Sequence, residues 1–310
     1  MMTQIAFVFP GQGSQSVGMG RELAEAYPAA RRVFAQADEI MGFPLSRLAW
    51  EGPEADLNDT INTQPALLVH SVATLAVLHE QFSSLKPSFV AGHSMGELSA
   101  LVACNALPYE NALRLVRRRG ELMKQAGEAS PGGMAAVLGA DIPTLERICA
   151  EASTPGEVVQ VANDNCPGQV VISGARPALE RAIQLAQQAG IRKVRPLAVS
   201  IAAHSPLMTH AQADFNQAVL QAGIADPLIP LVGNVSALPL STAAEVQDDL
   251  QAQLTSRVRW TESIQEMAAR GVTTFIELGS GSVLTGLIKR IDDQVLGISV
   301  GNPADIEKLA

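Results

Sequence analysis

A chain of 310 residues, 47% hydrophobic and 17% charged, carries enough apolar content to bury a substantial core in one large domain or two smaller ones, which excludes a disordered polymer. Its formal net charge of −9 speaks against general nucleic-acid binding and leaves local basic patches open. Cys104, Cys149 and Cys166 are odd in number, widely spaced and without a CxxC pair, so neither a disulfide framework nor a zinc knuckle is expected, in keeping with a reducing, cytoplasmic setting.

In chain order, "MMTQIAFVFPG" has no basic leader region, and its apolar run is too short for a signal peptide. No segment is read as the roughly 20-residue apolar span that a bilayer requires. "QIAFVFPG" is predicted as a buried strand ending in a glycine loop. Helices follow around "GRELAEAYPAARRVFAQADEIM" and "TQPALLVHSVATLAVLHEQF". The strand "SFVAG" then leads into "GHSMGELSALVA", and a helix "YENALRLVRRRGELMKQAG" ends at Gly127. Beyond the turn-rich "EASPGG" the order changes. Strand "GGMAAVLG", helix "IPTLERICAEA", strands "VVQVAN" and "QVVISG", helix "RPALERAIQLAQQAG" and strand "RKVRPLAV" give βαββαβ, the ferredoxin-like order. Residues 128–200 are therefore expected to form a compact insertion in a larger α/β domain made of 1–127 and 201–310.

The stretch Gly92-His93-Ser94-Met95-Gly96 stands where a strand hands over to a helix. That context turns a common GxSxG pattern into a candidate nucleophile elbow, with Ser94 as nucleophile and the Met95 N–H facing an oxyanion. A plain helix N-cap is the competing reading of Ser94. Of the five histidines, His204 in "VSIAAHSPLM" lies just past a strand end and is the favoured base. His93 is adjacent to Ser94, so their side chains diverge, although it could donate to a ligand. His210 falls on a helix, and His70 and His79 belong to an apolar helix.

Arg119 shares a helical face with Leu115, Val116, Leu122 and Met123. A buried guanidinium must find an anion, either an internal carboxylate such as Glu97 or the carboxylate of a substrate held bidentately. The loop "FPGQGSQ" lacks the lysine of GxxxxGK[ST] and the spacing of GxGxxG, so a Gln12 backbone donor completing an oxyanion hole reads better than a phosphate cradle.

Taken together, "FPGQGSQ", "TQPAL", "GHSMGE", "LVRRRGELM", "NDNCPGQVVISG", "AAHSPLM", "NVSA", "RVRWTESI" and "ELGSGSVLTGL" resemble, in order and over nearly the whole chain, the malonyl-CoA:acyl carrier protein transacylases and related polyketide acyltransferases. The resemblance implies an α/β-hydrolase-like core with a ferredoxin-like insertion, Ser94 as the acylated nucleophile and His204 as its base. It also implies Arg119 as the malonyl carboxylate's partner and Gln12 and Met95 as oxyanion donors. By the same likeness Gln253 offers its backbone carbonyl to the histidine, and His93 and Asn163 line the pocket. The implied reaction is ping-pong transfer of malonyl from malonyl-CoA to a carrier protein's phosphopantetheine thiol, without metal or redox cofactor. A monomer is expected, along with a local basic surface for the acidic carrier drawn from Arg192, Lys193, Arg195, Arg117, Arg118, Lys289 and Arg290. Two positions depart from the pattern. Ser280 replaces a frequent proline, and Ala203 stands where malonyl-selective relatives commonly carry phenylalanine and methylmalonyl-selective ones serine. A methylmalonyl transacylase, a serine thioesterase of a polyketide pathway and an inert carrier-docking module are the alternatives.

Overall fold

Successive side chains of a strand point to opposite faces, and β1 (Gln4–Phe9) buries both of its faces. Phe7 and Phe9 enter one apolar cluster while Ala6 and Val8 enter another on the reverse side. Such two-sided burial requires helices on both faces of a sheet. Residues 4–309 are described here, from a computed structural model; Met1 to Thr3, the head of the N-terminal run, lie outside the described residues.

The further strands are β2 (Phe89–Gly92), β3 (Gly132–Leu138), β4 (Val159–Cys166), β5 (Gln169–Ala175), β6 (Lys193–Pro196), β7 (Leu231–Val232), β8 (Pro239–Leu240), β9 (Val272–Leu278) and β10 (Leu296–Val300). They form a six-stranded sheet of order β10-β9-β1-β2-β7-β8 and a four-stranded sheet of order β4-β5-β3-β6. The larger is parallel except for the β7–β8 pair. Phe9 pairs in register with Gly92, so the loops after β1 and β2 leave the sheet side by side. Ligands of parallel α/β sheets bind at such carboxyl ends.

The smaller sheet is wholly antiparallel. With helices Ile142–Ala152 and Arg176–Gln188 it encloses an apolar cluster of its own. Its strand β4 runs on through Asp164–Cys166, beyond the predicted "VVQVAN", and is bridged at Asn163 to Val258, which lies outside both sheets. The Val258 N–H donates to Ala162 O at 2.8 Å, and the Asp164 N–H donates to Val258 O at 2.9 Å. Strand β6 is shorter than predicted. It lies on the sheet edge, paired only with β3, and Pro196 removes a ladder donor at its end.

Two helix predictions also change. "GRELAEAYPAARRVFAQADEIM" divides into Arg21–Ala26 and Pro28–Met41 because Tyr27 is extended (φ −121°, ψ 121°), as the ring of a following proline demands. The helix starting at Tyr109 continues past Gly127 to Ala129 and stops two residues before Pro131. Contrary to the expectation of no span-length segment, the helix Thr60–Gln81 is long and apolar enough to cross a membrane. Most of its apolar window, 83%, is buried inside the protein, which makes it a helix of the core.

Candidate active site

At the end of β2 the chain turns through His93, Ser94 and Met95 into the helix Gly96–Ala103. The turn is so tight that only glycine fits on either side. A Cβ on Gly92 would stand 2.0 Å from the Gly96 carbonyl carbon, and one on Gly96 would stand 2.2 Å from Phe9 O. Ser94 itself takes the left-handed region at φ 54°, a conformation costing a non-glycine residue on the order of 1–3 kcal/mol. Asn234 braces it. The Ser94 N–H donates to Asn234 Oδ1 at 2.7 Å, and Asn234 Nδ2 donates to Gly92 O at 2.7 Å. Met95, not Ser94, occupies the helix N-cap. The Met95 and Gln12 N–H groups have no acceptor among the described residues.

His204 arrives from the segment that follows the smaller sheet, also left-handed at φ 57°. Its Nε2 lies 2.8 Å from Ser94 Oγ and its Nδ1 lies 2.9 Å from the Gln253 carbonyl oxygen. A carbonyl can only accept, so the proton sits on Nδ1 and Nε2 is left free to accept from the serine hydroxyl. Burial, reinforced by the Arg119 charge, pushes His204 down to about 3, so it is a neutral base near pH 7. Gln160 Nε2 donates to the His204 carbonyl at 2.8 Å and fixes the loop.

Arg119 is 2% exposed on the helix Tyr109–Ala129, as its helical face predicted. It pairs with no carboxylate among the described residues. Its NH1 donates to Gln64 Oε1 at 2.9 Å, and its NH2 donates to Gln253 Oε1 at 2.7 Å and to Ser94 Oγ at 3.2 Å, while Nε–H has no partner. Burial lowers the guanidinium to about 10, which leaves it charged at neutral pH. Glu97, the internal partner weighed from sequence, instead receives Gln253 Nε2 at 2.5 Å. From Gln64 the contacts continue to the first loop. Gln64 Nε2 donates to Thr60 Oγ1 at 2.8 Å, which donates to Gln12 Oε1 at 3.0 Å. Ser280 Oγ holds the same loop from the far side, donating to Ser14 O at 2.6 Å.

The remaining predicted positions divide. The His93 ring turns away from Ser94 to Asn165 Oδ1 at 2.8 Å and meets the Trp260 ring edge-on at 5.6 Å. Asn163 is buried in β4 at the bridge to Val258. His210 is exposed on its helix, and His70 bonds Gly301 O on another side of the core. Of the basic candidates, Arg117 and Arg118 are tied to Glu121 and Asp214, and Arg290 is tied to Gln169. Arg192, Lys193, Arg195 and Lys289 are exposed and form no ion pair among the described residues.

Asn234, Gln64 and Gln160 received no role from the sequence. The signal for Gln64 was weak, since Thr60 and Gln64 lie one turn apart in a first turn that also holds Asn62 and Thr63. That for Asn234 was absent, because its partners lie about 140 positions earlier.

Residues 6–302 match the acyl transferase domain family. A malonyl CoA-acyl carrier protein transacylase from Bacillus subtilis strain 168 is 46% identical over 306 residues, covering 99% of this chain and 96% of that protein. The corresponding protein of Escherichia coli K12 is 42% identical, with 98% and 97% covered. Among solved structures, an acyl carrier protein S-malonyltransferase from Vibrio cholerae superposes with a TM-score of 0.96 at 42% identity, covering 99% of this chain and 100% of the other. A type II PKS acyl-carrier protein in complex with its malonyl-transacylase gives 0.95 at 40% identity, covering 99% and 98%.

Proposed function

The chain belongs to the acyl transferase domain family, and from that membership we propose that it transfers malonyl from malonyl-CoA to the phosphopantetheine thiol of an acyl carrier protein through a malonyl-Ser94 ester. The observation that carries the reading is the relay Ser94 Oγ–His204–Gln253 O set directly against a buried, carboxylate-free Arg119.

His204 Nε2 removes the hydroxyl proton as Ser94 Oγ attacks the thioester carbonyl. The resulting oxyanion is received by the Gln12 and Met95 N–H groups. Collapse breaks the carbon–sulfur bond, and the CoA sulfur leaves with the proton held by His204. The carrier's thiol then gives its proton to His204 and attacks the ester, and Ser94 Oγ takes that proton back. Arg119 holds the malonyl carboxylate through its planar fork. The scheme uses no metal or redox group.

We further infer that residues 128–200 form a ferredoxin-like unit inserted into an α/β-hydrolase-like core of 1–127 and 201–310. The antiparallel order β4-β5-β3-β6 and the separate apolar cluster support this division. His93 and Asn163 line the approach to the serine, and the exposed Arg192, Lys193, Arg195 and Lys289 serve the acidic carrier protein, with the enzyme acting as a monomer in the cytoplasm.

Radiolabelled malonyl-CoA, with and without holo carrier protein, tests the reading. Label that stays on the enzyme and moves to the carrier is the expected outcome. Rapid release of free malonate means a thioesterase, and absence of protein label means a docking module. Methylmalonyl-CoA in the same assay reads extender choice at Ala203.

A further inference from the structure

The side chain of Gln253 stands between two buried ionisable groups. Its Oε1 accepts from Arg119 NH2 at 2.7 Å, and its Nε2 donates to Glu97 Oε2 at 2.5 Å. The same Nε2 reaches Ser94 O at 3.1 Å. Both charged-type residues are sealed from solvent, Arg119 at 2% exposure and Glu97 at none. Neither finds the other, and no ion pair of Arg119 occurs among the described residues. This separation needs a reason, because opposite groups at such depth ordinarily pair directly.

An amide is suited to keeping them apart. It offers an acceptor to a guanidinium and a donor to a carboxyl group, and it has no net charge with which to neutralise either. The surroundings of Glu97 also work against its charged form. Burial, and after it the nearby Asp249, hold its carboxyl well above the usual range, while Asp249 is engaged by the Val235 and Ser236 N–H groups. The guanidinium therefore keeps its positive charge beside Ser94, with one N–H unpartnered.

We propose that the Gln253 side chain is a specificity-determining spacer: interposed between Arg119 and Glu97, it prevents an internal ion pair and so leaves the guanidinium to read the carboxylate of the incoming acyl group. This rests on the reading of Arg119 as the carboxylate's partner, and it is separate from the Gln253 backbone carbonyl that orients His204. Gln253 is thus a positioning residue that acts on substrate choice through Arg119.

The test compares acylation kcat/KM for malonyl-CoA and acetyl-CoA across variants of the full chain. Gln253→Glu keeps the backbone carbonyl and size but sets a carboxylate against Arg119. The malonyl-to-acetyl ratio is expected to fall by roughly 10- to 100-fold, the scale of a charge-assisted contact. A ratio unchanged from wild type, or equal losses with both substrates, overturns the proposal. If Gln253→Glu does not fold, Gln253→Met removes the amide without adding charge. The ratio should then fall as Glu97 turns to Arg119, and adding Glu97→Gln should restore it; a ratio unmoved by Gln253→Met overturns the proposal. Arg119→Ala, run in parallel, separates the two levels. If it leaves the ratio unchanged, the reading of Arg119 itself fails; if it shifts the ratio while the Gln253 variants do not, the spacer alone fails.

Discussion

Burial sets the chemistry of the two residues that carry the proposed reaction. His204 is pushed down to about 3, first by desolvation and then by the neighbouring Arg119 charge, so the imidazole is already in its basic form throughout the working range. The pH profile of acylation kcat/KM, which reports the free enzyme, should therefore be flat from pH 8 down to about 5. A limb centred near the ordinary imidazole value of about 6.5 would show that His204 is solvated in solution. His204→Ala should slow acylation by roughly 10²- to 10⁴-fold, as expected for a lost general base, with unchanged circular dichroism. At Arg119 the planar fork matters as well as the charge. Arg119→Lys should recover only part of the malonyl preference lost in Arg119→Ala, because an ammonium cannot reproduce two parallel donors. Full recovery in kcat/KM would assign Arg119 a purely charge-based role.

The elbow between β2 and the helix Gly96–Ala103 is where local sequence and chemistry meet most closely. Its glycines are required by the backbone of neighbouring elements, with Gly92 against Gly96 and Gly96 against the end of β1. Gly92→Ala should therefore push the helix from the strand, destabilise by about 2–3 kcal/mol as overpacking does, and abolish covalent labelling. Gly286→Ala is the matched control. A Cβ there meets nothing within 4 Å inside the helix Val283–Ile291, so stability should hold or rise by up to about 1 kcal/mol. Thermal melts followed by circular dichroism compare the two, and equal melting temperatures would contradict the steric reading. This strand–turn–helix order was legible in the sequence because "SFVAG" and "ELSALVA" carry their own patterns. So was the inward face of Arg119, fixed by helical spacing. What Arg119 touches was not legible. Its partners Gln64 and Gln253 lie 55 and 134 positions away, and periodicity within one helix carries no information about contacts between elements.

At the scale of the whole molecule, the site is assembled where two sheets meet. Ser94 and the Gln12 loop come from the carboxyl ends of adjacent parallel strands, His204 from the segment leaving the smaller sheet, and Gln253 from the end of the helix Ala243–Gln253. The βαββαβ order was readable from alternating patterns, but the continuation of β4 through Asp164–Cys166 was not, because "DNCPG" has the composition of a turn. Its strand geometry depends on pairing with β5 and with Val258. On the outer side of that sheet, Lys193 and Arg195 are exposed and free of ion pairs among the described residues. Reversing both to glutamate should raise the KM for the carrier protein, more so at low salt, and leave the KM for malonyl-CoA unchanged; equal effects on both substrates would remove this face from the docking surface. The central claim is transfer through Ser94, and acid-quenched peptide mass mapping tests it most directly. After brief exposure to malonyl-CoA, the peptide containing Ser94 should carry one malonyl group, lose it on a chase with holo carrier protein as the carrier gains it, and remain unmodified in Ser94→Ala. Malonyl found on another residue, or on Ser94 but not discharged to the carrier, would contradict it.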